Sequence, residues 1–142
     1  MRNNKGFSLV ELIVVIAIMA ILAAVAIPTF SSFINKANVA SDEDFASGIK
    51  YAVNLALTED GDEAATVTVE MNADGKGVKT LSYTLVGDTA ATPTSYTVIE
   101  NGAAVANNEI ATTIAATIDN DYQLKTEGVS DIDGVTITKA TN

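Results

Sequence analysis

The chain has no cysteine and no histidine, and it is short of positive charge: eight Lys and Arg stand against 18 Asp and Glu, for a net charge of −10. Without Cys there is no intramolecular disulfide and no thiolate metal site. Many small exported domains use disulfides to offset a small core; a domain lacking them folds by packing alone. Without His or Cys the commonest acid/base and nucleophilic partners are missing too, so an enzyme is not expected. The scarcity of Lys and Arg argues against direct nucleic-acid binding, because phosphate contacts need clustered cations. An acidic exterior instead keeps copies soluble and mutually repelling.

What is present is unevenly placed. The chain of 142 residues is 48% apolar, enough for one compact domain. The apolar residues concentrate in Leu9–Ile27, and the rest is rich in Thr, Ala, Asn, Asp and Gly. Met1–Gly6 is short, polar and basic, through Arg2 and Lys5. Phe7–Ile27 is apolar apart from Ser8 and Glu11, and no charge falls between Leu12 and Asn35. About 20 apolar residues span a bilayer as a helix. Phe7–Pro28 would run roughly 33 Å at the helical rise. The basic flank stays on the cytoplasmic side, which makes this a single span with its N-terminus inside.

After Pro28, apolar residues recur at Phe30, Phe33, Ile34, Ala37, Ala40, Phe45, Ile49, Ala52, Val53 and Ala56. That spacing predicts an amphipathic helix with one stripe toward a core. Lys36, Asp42, Glu43, Lys50 and Asn54 fall mostly on its other side. Thr58–Gly61 then supplies a stop signal. Thr66–Met71 and Val78–Val86 read as strands joined by the turn-rich Asn72–Gly77. Ser95–Glu100 is a third strand, and Asn101-Gly102 turns it into a weak return strand at Ala103–Ala106. Ile110, Ile114 and Ile118, four apart behind a capping Asn108, favour a short helix, and Gly134–Lys139 reads as a last strand.

The run KGFSLVELIVVIAIMAILAAVAIP, from Lys5 to Pro28, is where a family resemblance enters. A basic residue, Gly, Phe, a small hydroxyl, Glu four after Phe and an uninterrupted apolar run resemble the class III signal and N-terminal helix of type IV prepilins and pseudopilins. The likeness covers about 30 residues. It implies that a prepilin peptidase, reading Lys5 and Gly6, cuts between Gly6 and Phe7, and that Phe7 is then N-methylated. Gly6, lacking a side chain, lets the backbone approach a protease closely. A cut on the cytoplasmic side leaves the apolar helix on the mature protein, whereas a secretory signal is discarded whole. Ala24-Val25-Ala26 offers a site for that second route. The length of the apolar run, the presence of Glu11 and the periodicity beyond Pro28 speak against it.

Glu11 is the informative residue. A carboxylate in an apolar segment is costly and usually faces a partner. Cleavage creates one, the α-ammonium of Phe7, either in the same chain or in a neighbouring subunit, and the resemblance implies that Glu11 registers an incoming subunit there. The alternative is that Glu11 stabilises the positive end of its own helix. Pro28 lacks an N–H and clashes with the Ala24 carbonyl, so a kink is expected there. Many relatives carry Gly eight residues before that Pro; Ala20 stands here and disfavours extensive unwinding.

Acidic clusters at Glu59–Glu63, Asp119/Asp121 and Asp131/Asp133 raise calcium as a ligand, although none has EF-hand spacing. No other cofactor or metal is expected, and Lys76, Lys79, Lys125 and Lys139 are the Lys residues available for an isopeptide crosslink.

The expected product is an α+β fold, the pilin ladle, with a long N-terminal helix packed on a small antiparallel β-sheet. A leader at 1–6, a transmembrane and assembly helix at 7–28, and a remainder at 29–142 divide it. The implied function is a non-enzymatic type IV pilus subunit, with a pseudopilin of a secretion or DNA-uptake machine as the alternative. Implied partners are further copies, minor pilins, the prepilin peptidase, and an assembly ATPase with its platform protein. The subunit would sit in the cytoplasmic membrane first and in a surface filament afterwards. The absence of Cys resembles the clostridial-type pilins of Gram-positive bacteria.

Overall fold

The computed structural model describes residues 7–88 and 94–141. In chain order its elements are α1 (Leu9–Leu57), β1 (Ala64–Met71), β2 (Val78–Leu85), β3 (Tyr96–Glu100), β4 (Ala103–Ala104), α2 (Glu109–Thr117), β5 (Gly128–Ile132) and β6 (Val135–Lys139). This is an α+β fold. The chain divides between Ala37 and Asn38 into two units.

In the first unit every described residue, from Phe7 to Ala37, is exposed. α1 continues through Pro28, and beside the bond that Pro cannot make, the Thr29 hydroxyl donates to the Val25 carbonyl at 2.9 Å. The sequence stripe placed Phe30, Phe33, Ile34, Ala37 and Ala40 toward a core, but all five are exposed. Helical periodicity identifies an apolar face without saying what covers it.

In the second unit, α1 buries Asp42, Ala46, Ile49, Ala52, Val53 and Leu57. These positions lie three or four apart, on one face of a helix. The strands form one six-stranded sheet in the order β4-β3-β2-β1-β6-β5. Every pairing is antiparallel except β1 with β6, which is parallel, so the sheet is mostly antiparallel, in keeping with the expected fold. Register aligns Tyr83, Val67 and Val135 in one row and Leu81, Val69 and Ile137 in the next. All six are buried and belong to the same apolar cluster as Ala46, Ile49, Val53 and Leu57. α2 lies against β3 and β4 and adds Ala111 and Ile114 to that cluster. Asn108 caps α2 as expected, its side chain accepting the Ala111 N–H at 3.0 Å.

β5 is the element that the pattern did not announce. Of its five residues only Val129 is buried, and a bulge between Val129 and Ile132 leaves Asp131 at φ 51. Its partner β6 is reached through Asp133 (φ 51) and Gly134 (φ 80), a pair of positive φ values suited to a tight hairpin. A Cβ on Gly134 would lie 2.6 Å from the Ala65 carbonyl oxygen, whereas one on Gly48, in α1, would meet nothing within 4 Å. Gly134→Ala is therefore expected to destabilise by about 2 kcal/mol, from a strained φ and a backbone clash. Gly48→Ala should stabilise by up to about 1 kcal/mol through helix propensity. Thermal unfolding of the two variants should move in opposite directions.

Candidate functional site

The start of α1 is where sequence and geometry meet. Phe7 and Ser8 precede the first helical turn, and Phe7 is 91% exposed. The Ser8 carbonyl accepts the Leu12 N–H at 3.3 Å, which makes Ser8 the N-cap. Its hydroxyl oxygen accepts the Glu11 N–H at 3.2 Å, and a Glu11 carboxylate oxygen, Oε2, accepts the Ser8 N–H at 2.8 Å. These two reciprocal bonds are a capping box, Ser-x-x-Glu, satisfying two of the donors that a helix start leaves open. Within the single chain, Glu11 thus stabilises its own helix start. No described residue bonds its second oxygen, Oε1. Lys5 and Gly6, and with them the Gly6–Phe7 bond, lie outside the described residues. The Ser-x-x-Glu spacing is the signal in the sequence that gives Ser8 a capping role beyond that of a small hydroxyl.

From Glu11 onward the helix offers a continuous apolar surface with no polar interruption of consequence until Thr29 and Ser31. Leu9, Leu12, Ile16, Met19, Leu22, Val25 and Ile27 are all more than half exposed. Among the described residues, α1 is the one helix long and apolar enough to cross a membrane. A helix apolar on all sides is stable only in apolar surroundings, lipid or other helices.

A second cluster lies in the other unit. Asp42 was expected on the solvent side of α1 and is instead fully buried. One of its oxygens, Oδ1, accepts the Tyr122 hydroxyl at 2.6 Å and the Lys125 N–H at 3.0 Å. The other, Oδ2, accepts the Lys125 and Thr126 N–H groups at 3.1 and 2.7 Å. Burial by itself pushes the Asp42 carboxyl up, but the bonds from Tyr122, Lys125 and Thr126 prevail and hold it below its ordinary value. Tyr122 is pushed up by its own burial and by donating to Asp42. Its ring stacks on Phe45 with centroids 4.0 Å apart, and Lys125 reaches across to donate to the Ser41 hydroxyl at 2.7 Å. The cluster ties α1 to the segment before β5. Every buried side-chain polar atom among the described residues has a partner. Asn54 and Lys50, both half-buried, also bond to the β-containing part of the chain: Asn54 accepts the Ala64 N–H at 2.9 Å, and Lys50 donates at the surface to the Asp133 carbonyl.

The acidic clusters do not converge. Among the described residues no three Asp or Glu side chains come together in a way that would hold a metal ion. Asp119 accepts the Asp121 N–H at 3.0 Å, and Asp131 and Asp133 shape the β5–β6 connection. Lys79 pairs with Glu70 at 3.2 Å and Lys139 with Glu127 at 3.6 Å, both at the surface, where such pairs contribute little. A cleft of about 720 Å³ lies between the end of α1 and the start of α2, lined by Glu59, Asp60, Glu109 and Thr113 among others, with no Lys, Arg or Tyr.

Residues 1–27 match the family model described as the prokaryotic N-terminal methylation motif. No solved structure matches the chain. The match supports a class III signal of the type IV pilin and pseudopilin kind, and it encloses Ser8, Glu11 and the first part of the exposed helix. A pilin-type motif of this kind goes with processing and assembly in a pilus or a secretion system, and the apolar helix behind it suits membrane insertion.

Proposed function

We propose that this chain is a structural, non-enzymatic subunit of a type IV pilus, polymerising through its N-terminal helix into a surface filament. The observation that carries this reading is a helix start that bears the methylation motif, with Glu11 as the single charge between Phe7 and Asn35 and with every described residue from Phe7 to Ala37 exposed. In the membrane that surface faces lipid, and in a filament it faces the same helix of other copies. Cutting after Gly6 gives Phe7 a positive α-amino group, the charge opposite to that of Glu11. A prepilin peptidase would make that cut and Phe7 would be N-methylated. An assembly ATPase and its platform protein would supply the work of extracting subunits, and adhesion, aggregation and motility are the roles open to the product. The acidic remainder, with six Lys against 18 Asp and Glu once the leader is gone, would keep filaments apart and soluble. No cofactor is part of the proposal.

N-terminal sequencing and electron microscopy of material sheared from cells test it together. Methyl-Phe7 in long fibres is the expected result. Methyl-Phe7 in a protein that stays with the membrane, or in short fibres only, would support the pseudopilin role. An N-terminus beginning after Ala26 would mean ordinary secretion and would sink both.

A further inference from the structure

We propose that Ser8 is the positioning residue for Glu11, the capping box holding one carboxylate oxygen against its own helix and presenting the other to the Phe7 ammonium of a second copy. The inference rests on the filament reading and names the residue that prepares its contact.

A Glu side chain carries substantial rotamer freedom, which is lost when it is ordered. A Glu11 free to rotate would lose it at the moment a subunit docks, and the loss would weaken docking. The capping box removes that freedom beforehand. The Ser8 hydroxyl accepts the Glu11 N–H, fixing Ser8 as N-cap, and this aims the Ser8 N–H at Oε2, 2.8 Å away. Oε2 is then occupied within the chain, while Oε1 has no hydrogen bond from any described residue. A carboxylate accepts through both oxygens, so the pinned group still has a full face for an ammonium.

The same arrangement settles a competition. Cleavage puts an ammonium on Phe7 of the chain's own helix as well as on its neighbour's. With Oε2 engaged by Ser8, Glu11 already has an intrachain partner in the uncut protein, and cleavage adds a partner for Oε1. Other groups are poor rivals for that oxygen. Ser8 and Glu11 are the only polar side chains between Phe7 and Ile27, and the nearest Lys along the helix is Lys36.

The test uses the full chain, co-expressed with untagged wild type in cells that carry the assembly machinery. Mass spectrometry of sheared filaments reads the share of each variant, and mass of the N-terminal peptide reads leader removal. Ser8→Ala should be cut normally yet be incorporated about five-fold less, the typical effect of losing a Ser cap. Ser8→Thr, which caps the same way, should recover the wild-type share. Glu11→Gln keeps the box, since Gln also serves at that position, but removes the charge and should fall further than Ser8→Ala. Adding Ser8→Ala to Glu11→Gln should then lower incorporation no more, because Ser8 acts through the carboxylate. Wild-type incorporation of Ser8→Ala would overturn the inference, as would a further five-fold fall in the double variant, which would mean capping alone. Absence of filaments from wild-type cells would instead overturn the pilus reading beneath it.

Discussion

Replacing Glu11 with valine is expected to abolish filaments while leaving the leader removed. The carboxylate is the single charge between Phe7 and Asn35, so nothing along the apolar face can substitute for it. In a filament interior, its loss would leave a neighbour's Phe7 ammonium desolvated and unpaired. Breaking a buried ion pair on one side costs about 3–5 kcal/mol, which is more than a hundred-fold in affinity per contact. By contrast, the lost half of the capping box is worth only about 0.3–1 kcal/mol to the helix start. That helix keeps its Ser8 hydroxyl cap and its apolar surface, and the Gly6–Phe7 bond lies on the far side of the cap. Two readouts separate the effects: the N-terminal peptide should begin at Phe7, and sheared fractions should contain no fibres. Normal fibres from Glu11→Val would remove the assembly role of this residue.

Asp42→Ala is expected to be strongly destabilising for the β-containing unit. It deletes the acceptor for the Tyr122 hydroxyl and for the Lys125 and Thr126 N–H groups. Each buried donor left without a partner costs about 1–3 kcal/mol. A total near 3 kcal/mol is expected, since part of the segment can relax toward water, and at roughly 4–8 °C per kcal/mol the melting temperature should fall by more than about 10 °C. Tyr122→Phe removes one donor and leaves the carboxylate its two backbone donors, so its loss should be smaller, about 1.5 kcal/mol. Hydrogen exchange in the full chain should rise first across 119–133, the stretch that the cluster fastens to α1.

Acid should act on the same cluster. The Asp42 carboxyl is held below its ordinary value in the folded chain. A group of that kind binds protons more readily when unfolded, so its stabilisation is complete above the unfolded pKa, near 3.9. It is lost as pH falls through the lower folded value. Melting temperature should therefore be flat in this contribution above about pH 5 and decline below pH 4. Asp42→Asn should remove that part of the decline; an unchanged acid profile in the variant would show that other carboxylates govern it.

Much of this molecule can be read from local pattern. The apolar run, the helix stop after Leu57, the hairpin at Asn101-Gly102 and the cap of α2 at Asn108 each depend on residues within a few positions of one another. Ser8 with Glu11 belongs to the same class, because the two residues that make the box are three apart. β5 was hidden for the opposite reason: Gly128–Ile132 has one buried residue and a bulge, and it is a strand only because β6 is beside it.

Asp42 marks the boundary between the two kinds of information. Its neighbours in sequence, Ser41, Glu43 and Asp44, describe a polar stretch of helix, and on that basis it faces water. Its neighbours in space come from 80 or more residues away and bring three donors, so that burying a charge is repaid in full. The parallel pairing of β1 with β6 is of the same origin, a long-range choice that no short pattern records. The sequence by itself determined the N-terminal segment, because helix, cap and apolar surface are local properties of consecutive residues. Only the tertiary structure decided which polar groups go inside, because the free energy of a buried carboxylate is set by donors that the folded chain brings to it.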